Sequence, residues 1–347
     1  MATMTAVRKM KPASGVSFET IPIPDVTSHG VLVRVKAASL CGTDLHIFHW
    51  DDWAASRIKT PMTFGHEFAG EVVEVGPQVE SVKPGDHIAG ETHIPCLNCY
   101  QCRTGQMHIC NNLQILGVDR DGAFADYVML PEVCCVKTDA SIPWEIASIQ
   151  EPFGNAVYAV SEANVVGKSV AVFGDGPTGV FAVAVARAFG ATKIFAVGMQ
   201  DYRLNLIRKF APDVVINASE TNPTDIILDA TKGEGVDAVL EMSGAEPAIH
   251  AGFRVVKKGG VFTAFGIPSK PIGINFSEEI IFKGIRINGI NGRKMFETWD
   301  QVANLLLSGR VDLKQVITHT LPLSKIEEAF ELLTPGNIRA GKIVLKP

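Results

Sequence analysis

Over the first 150 or so residues, apolar positions come in short runs broken by polar ones. VLVRVKAASL (31–40) and FAGEVVEVG (68–76) alternate or are rich in β-branched residues, and Pro-Gly punctuation such as VKPGD (82–86) separates them. This pattern predicts short strands joined by turns, an all-β region. Near residue 155 the texture changes. Apolar strands now alternate with helix-like runs: KSVAVFG, GVFAVAVARAFG, KIFAVG, YRLNLIRKF, DVVIN, TDIILDATKG, VDAVLEMSG, PAIHAGFRVVKKGG and VFTAFG. Such alternation predicts a parallel, doubly wound sheet, so the chain as a whole is α/β. After about residue 295 it shifts again, to a helix over ETWDQVANLLLSG and a last strand over GKIVLKP. There is no internal repeat and no low-complexity tract.

At 347 residues the chain has room for about two domains of ~150 residues each. Its 46% hydrophobic and 20% charged residues are ordinary for a globular protein. The net charge of −5, without a basic run, makes nucleic acid and anionic membrane poor partners. The opening MATMTAVRKMKPASG lacks the apolar stretch of a signal peptide, and the best apolar run, VFAVAVARAFG, carries Arg187 and stops short of a membrane span. The expected location is cytoplasmic. A reducing compartment argues against disulfides, and seven cysteines leave one unpaired in any case.

Four of those cysteines crowd into CLNCYQCRTGQMHIC: Cys96, Cys99, Cys102 and Cys110. A redox pair needs two thiols, whereas four thiolates complete the tetrahedral shell of a structural zinc. A four-iron cluster is the main rival, since such sites also use CxxCxxC; here the fourth cysteine comes eight residues later, without a following proline. Adjacent Cys134 and Cys135, in a strand-like run, read as small core residues.

Gly174, Gly176 and Gly179 form GDGPTG, a GxGxxG between the strand SVAVF and a helix. In that context the glycines let the backbone approach a dinucleotide pyrophosphate, which the free N–H groups of the helix N-terminus then receive. Elsewhere, His66 and Glu67 in GHEFAGEVVEVG, Cys41 in LCGTDLH and Glu151 in EPFGNAVY supply the ligand types of a catalytic zinc, although spacing alone does not join them.

CGTDLH, GHEFAGEV, the four-cysteine segment, GDGPTG and the C-terminal return together resemble the zinc-dependent medium-chain alcohol dehydrogenases, essentially from end to end. Within them, HIFHWDDWA (46–54), GRKMFETW (292–299) and EPFGNAV are similar to the L-threonine 3-dehydrogenases. The resemblance implies a β-rich GroES-like catalytic domain, built from residues 1–154 and a return over 296–347, around a Rossmann domain at 155–295. It implies catalytic zinc on Cys41, His66 and Glu67, and structural zinc on Cys96, Cys99, Cys102 and Cys110. Glu151 falls where the family has an acidic residue that assists the metal and proton chemistry. Thr43 and His46 fall on proton-relay positions and His93 beside the substrate. Gly174, Gly176, Thr178, Gly179, Gly198, Arg203, Phe265, Gly266, Ile267, Ile290 and Asn291 would meet the nicotinamide cofactor. The implied reaction is oxidation of the L-threonine 3-hydroxyl to 2-amino-3-ketobutyrate with hydride transfer to NAD, in a homotetramer. Another zinc dehydrogenase acting on a polyol or secondary alcohol is the alternative, and a non-catalytic module of the same fold a remote one. Tyr158 stands where the family more often has histidine.

One position departs from the pattern. The second Rossmann strand should end in an acid that holds the NAD ribose and repels the 2′-phosphate of NADP. Here that position is Gly198. The expectation is relaxed discrimination, with NAD used, NADP tolerated, Asp201 the nearest substitute carboxylate and Gly198→Asp a restoring change.

Overall fold

The structure is a computed structural model that describes residues 2–334 and 338–347. Its larger sheet runs in the order Cys135–Lys137, His87–Gly90, Glu67–Val75, Gly30–Ser39, Lys342–Lys346, Ile317–Pro322, with Tyr127–Pro131 also pairing onto Gly30–Ser39; all pairs are antiparallel except the last two strands, which run parallel. Val31, Val33 and Val35 are buried and pair with Val75, Val72 and Gly70. Their β-branched side chains suit a pleated surface covered on both sides. The last strand closes against the first half of the chain, with Val344 opposite Ser39. The C-terminal residues therefore complete the N-terminal sheet.

This region is β-rich rather than all-β. Two short helices, Gly42–His49 and Asp52–Arg57, interrupt it where HIFHWDDWA follows the central strand. Helix-start chemistry sets them. Asp44 closes a capping box with Cys41, and Asp51 accepts the Ala54 N–H at 3.0 Å.

The second sheet has six parallel strands in the order Val214–Asn217, Lys193–Gly198, Ser169–Phe173, Val236–Glu241, Val256–Ala264, Arg286–Gly289. The chain runs outward from Ser169–Phe173 to one edge, then returns to its other side. That reversal opens a crevice at the C-terminal ends of Ser169–Phe173 and Val236–Glu241, the usual ligand position in such sheets.

The helix Gln150–Ala163 joins the two sheets. Its first turn carries Glu151, while Phe153 meets Phe181 of the helix Pro177–Ala188 edge to face at 5.5 Å, both rings fully buried. Burial of two such rings stabilises the junction by roughly 1.5–3 kcal/mol each. The helix Glu297–Leu307 covers it from the other side with Trp299 and Val302 buried. Cys134 is fully buried, as its strand-like context suggests, whereas the adjacent Cys135 is only half-buried; Met295 packs inside.

Candidate active site

The chain turns from the central strand into the helix Gly42–His49 at Cys41, whose backbone N–H donates to Asp44 Oδ2 at 2.8 Å. His66 and Glu67 enter at the start of the neighbouring strand, after Gly65, which takes a positive φ of 89°. Ligand atoms of Cys41, His66 and Glu67 all lie within 4.8 Å of one another. His66 Nδ1 and Asp44 Oδ1, 3.7 Å apart, are buried without hydrogen-bond partners. A thiol, an imidazole and a carboxylate with ligand atoms this close fit a zinc ion with an open position. Burial disfavours charge on His66, but Cys41 and Asp44 beside it outweigh burial and hold the imidazole up at about 10. A cation among these groups would displace that proton.

Glu67 is anchored from the opposite side. Lys342 Nζ and Ser39 Oγ both bond its Oε2, so Oε1 is the oxygen available to a metal. Lys342 also donates to the Leu40 carbonyl at 2.7 Å. Burial pushes the Glu67 carboxyl up, and Lys342 opposes this.

Glu151 sits apart from these three. Its Oε1 accepts from Thr92 Oγ1 at 2.9 Å and from Arg293 Nη1 at 2.5 Å. Burial works against its charge, yet Arg293 first and His66 next hold it below the ordinary carboxylate range. Arg293 is itself 1% exposed and spans Glu151, Glu91 and Asn155, with Glu91 also taking the Trp299 indole N–H at 2.8 Å. His93 follows directly, its Nδ1 buried and unpartnered, its ring packed on Gly292. Burial and then the Arg293 charge bring His93 down to about 3, which favours its neutral form.

Thr43 Oγ1 lies 3.7 Å from the Cys41 sulfur. His46, three residues on in the same helix, is half exposed and bonded through Nδ1 to Asp51. One helix therefore links the metal ligands to solvent.

The four-cysteine segment forms a lobe based on the short hairpin of His93–Ile94 and Gln114–Ile115. Cys96, Cys99, Cys102 and Cys110 place their sulfurs within 4.8 Å of one another, with Cys99 at 3.5 Å from Cys102 and 3.7 Å from Cys110. Four sulfurs about 2.3 Å from one zinc stand roughly 3.8 Å apart, whereas a four-iron cluster spreads its cysteines further. Backbone N–H groups of Cys96 and Asn112 each point at the Cys110 sulfur at 3.3 Å. The Asn98 N–H foremost holds Cys96 down at about 6, while burial pushes Cys102 up to about 12. Against the lobe, Tyr158 Oη lies 3.5 Å from His108 Nε2.

The glycine turn occupies the crevice of the parallel sheet. Gly174 has a φ of 123°, Gly179 leaves no room for a Cβ against the Gly174 carbonyl, and Gly176 caps the helix Pro177–Ala188, which includes Thr178. Gly198 ends the second strand. Phe265, Gly266 and Ile267 follow the fifth, and Ile290 and Asn291 follow the sixth. Topology thus brings every residue expected at the cofactor to the C-terminal edge of one sheet; Ile267 is 90% exposed there.

Several site residues escaped the sequence reading: Asp44, Glu91, Thr92, Arg293, Lys342 and Glu241, whose carboxylate takes the N–H groups of Ser243 and Gly244 beside the crevice. A signal existed for some. Lys342 heads the apolar run IVL, Glu91 follows HIAG, and Asp44 stands three residues after a helix-capping Cys41. A charge in an apolar run is buried only with a partner, and that partner is not visible locally.

A doubly wound sheet with a phosphate-type glycine turn, joined to a β-rich domain carrying two metal-ligand sets, defines a zinc-binding, nicotinamide-dependent dehydrogenase. The comparisons agree. The alcohol dehydrogenase GroES-like domain matches residues 27–140 and the zinc-binding dehydrogenase domain matches residues 177–308. L-threonine 3-dehydrogenase of Bacillus licheniformis is 46% identical over 344 residues, 99% of each chain. Among solved structures, 2R,3R-butanediol dehydrogenase from Bacillus subtilis is similar at 27% identity and a TM-score of 0.89 over 99% of each chain. A zinc-binding dehydrogenase of Sinorhizobium meliloti bound to NADP is similar at 27% identity and a TM-score of 0.92 over the whole of both chains. The chain belongs to the L-threonine 3-dehydrogenase family.

Proposed function

We propose that this protein oxidises the 3-hydroxyl of L-threonine to the ketone of 2-amino-3-ketobutyrate and reduces NAD. The observation that carries the reading is the convergence of Cys41, His66 and Glu67, with Thr43 beside them, in a chain 46% identical to a threonine dehydrogenase over nearly its whole length. The relative with butanediol in its name stands at 27%. Two electrons and a proton leave C3 as hydride, and the hydroxyl proton goes to solvent.

Cys41, His66 and Glu67 would hold a zinc ion that would supply Lewis acidity toward the substrate oxygen, and the crevice of the parallel sheet would hold the nicotinamide cofactor as hydride acceptor. The remaining work belongs to the chain. Thr43, a hydroxyl able to accept and donate at once, takes the substrate proton toward His46, which reaches water. Glu151, kept ionised by Arg293, sets a negative charge near His66 that favours a cation at the ligand set. His93, neutral and dry, forms a wall of the substrate pocket. Cys96, Cys99, Cys102 and Cys110 hold a structural zinc.

Residues 1–154 with 296–347 act as the catalytic domain and 155–295 as the dinucleotide domain. A cytoplasmic homotetramer is the assembly proposed. Among the described residues the edge strand Arg286–Gly289 pairs on one side only, and Phe276, Ile281, Phe282 and Ile287 near it are 63%, 59%, 65% and 45% exposed. A bare edge beside an apolar patch favours self-association. No helix among the described residues is long and apolar enough to cross a membrane.

The test is absorbance at 340 nm with threonine, serine, 2,3-butanediol and sorbitol, each against NAD and NADP. Threonine with NAD should give the highest kcat/KM. A higher value with butanediol or sorbitol overturns the substrate assignment and leaves the reaction class standing.

A further inference from the structure

Gly198 lacks the carboxylate that its position at the end of the second parallel strand calls for, but the space is not empty. A Cβ built on Gly198 would lie 2.5 Å from Asp175 Cβ and 2.7 Å from Asp175 Oδ2. Asp175 is the residue between Gly174 and Gly176 in the glycine turn. Its Oδ2 accepts the backbone N–H groups of Met199 and Gln200, each at 2.7 Å. Its Oδ1 lies 3.9 Å from Arg203 Nη1, and the side chain retains 13% exposure. The carboxylate missing from one strand is thus supplied by the turn that follows its neighbour.

The other candidate is engaged. Asp201 Oδ1 accepts from Asn217 Nδ2 at 2.9 Å, one strand further out.

We propose that Asp175 is the residue that selects NAD over NADP, reading the adenosine ribose in place of an acid at position 198. The inference rests on the dinucleotide reading above. An acceptor at this edge suits two ribose hydroxyls, while a 2′-phosphate would meet like charge. Asp175 also masks what a phosphate would want. The two N–H groups at 199 and 200 and the Arg203 guanidinium together make an anion site once the carboxylate is removed. Arg203 stays in place through its second contact, Nε to the Ala340 carbonyl at 3.3 Å. The relaxed pocket expected from Gly198 alone therefore gives way to a selective one.

The test is direct binding of NADH and NADPH by nicotinamide fluorescence, with no alcohol present. It uses the zinc-loaded wild type, Asp175→Asn, Asp175→Ala and Asp175→Ala with Arg203→Ala; thermal melting checks that each is folded. Wild type should bind NADH more tightly than NADPH. Removing the like charge should shift the Kd ratio toward NADPH by on the order of tenfold or more, less at high salt. The added Arg203→Ala should take most of that gain away. An unchanged ratio in both folded single variants, or a wild type that prefers NADPH, overturns the assignment to Asp175. Binding of neither dinucleotide to wild type overturns the dinucleotide reading itself.

Discussion

Arg293 Nη1 lies 2.5 Å from Glu151 Oε1 across 142 residues of sequence, with Arg293 and Glu151 both buried. The same guanidinium grips Glu91 through Nε and Nη2. One cation thus balances two carboxylates in the wall of the active site. Arg293→Ala would strand both, and removal of one partner from a buried ion pair costs about 3–5 kcal/mol. Urea denaturation should show that loss. Arg293→Lys should recover little of it, because an ammonium cannot make the forked contacts. An Arg293→Ala protein as stable as wild type would show that this network is not structural.

The main layers of the fold were legible because strand and helix periods are local: SVAVF, KIFAVG and DVVIN became the parallel strands they read as. The glycine turn was legible for the same reason, since its residues are consecutive. The buried charge network was not. Arg293, Glu91 and Glu151 are far apart in sequence; Glu151 stands in a recognisable motif, but Arg293 and Glu91 alone each look like a surface residue. Asp175 was hidden differently. It occupies a variable position inside the GxGxxG motif, and only the cross-strand geometry sets it against Gly198.

Thr43→Ala should lower kcat by about 10²–10⁴-fold, the usual consequence of losing one proton-transfer group, where the chemical step limits turnover. Zinc content should stay at the wild-type level, because Thr43 approaches the Cys41 sulfur only at 3.7 Å and is not one of the three converging ligands. His66→Ala should instead lose both metal and turnover. Zinc analysis beside steady-state kinetics separates the two. Unchanged kcat in Thr43→Ala would remove it from the relay.

Purified protein should carry up to two zinc ions per chain. Chelators should take the ion at the Cys41 set first, because its shell is open, whereas the four-cysteine lobe is closed. Cys99→Ser breaks a sulfur set whose neighbours lie at 3.5 and 3.7 Å, and metal binding there is coupled to folding. It should lower the melting temperature and leave one zinc. Iron with acid-labile sulfide in the purified protein would refute the zinc assignment for the lobe.

Gly198→Asp, read from sequence as a change that restores NAD preference, should fail by itself. The new Cβ would arrive 2.5 Å from Asp175 Cβ, so the strand end or the glycine turn must shift, and overpacking of this kind costs about 1–3 kcal/mol. It would also set two carboxylates in one place, which disfavours both in the charged form. The single variant should melt lower than wild type and bind NADH more weakly. Adding Asp175→Gly removes the obstructing side chain and returns the acid to the strand. The double variant should then melt higher than Gly198→Asp alone and bind NADH more tightly, while Asp175→Gly alone should lose selectivity against NADPH. Residues in contact give non-additive effects, so the sign of the coupling decides the matter. Simple additivity of the two changes, in stability and in the NADH-to-NADPH ratio, would mean that positions 175 and 198 do not share one carboxylate site.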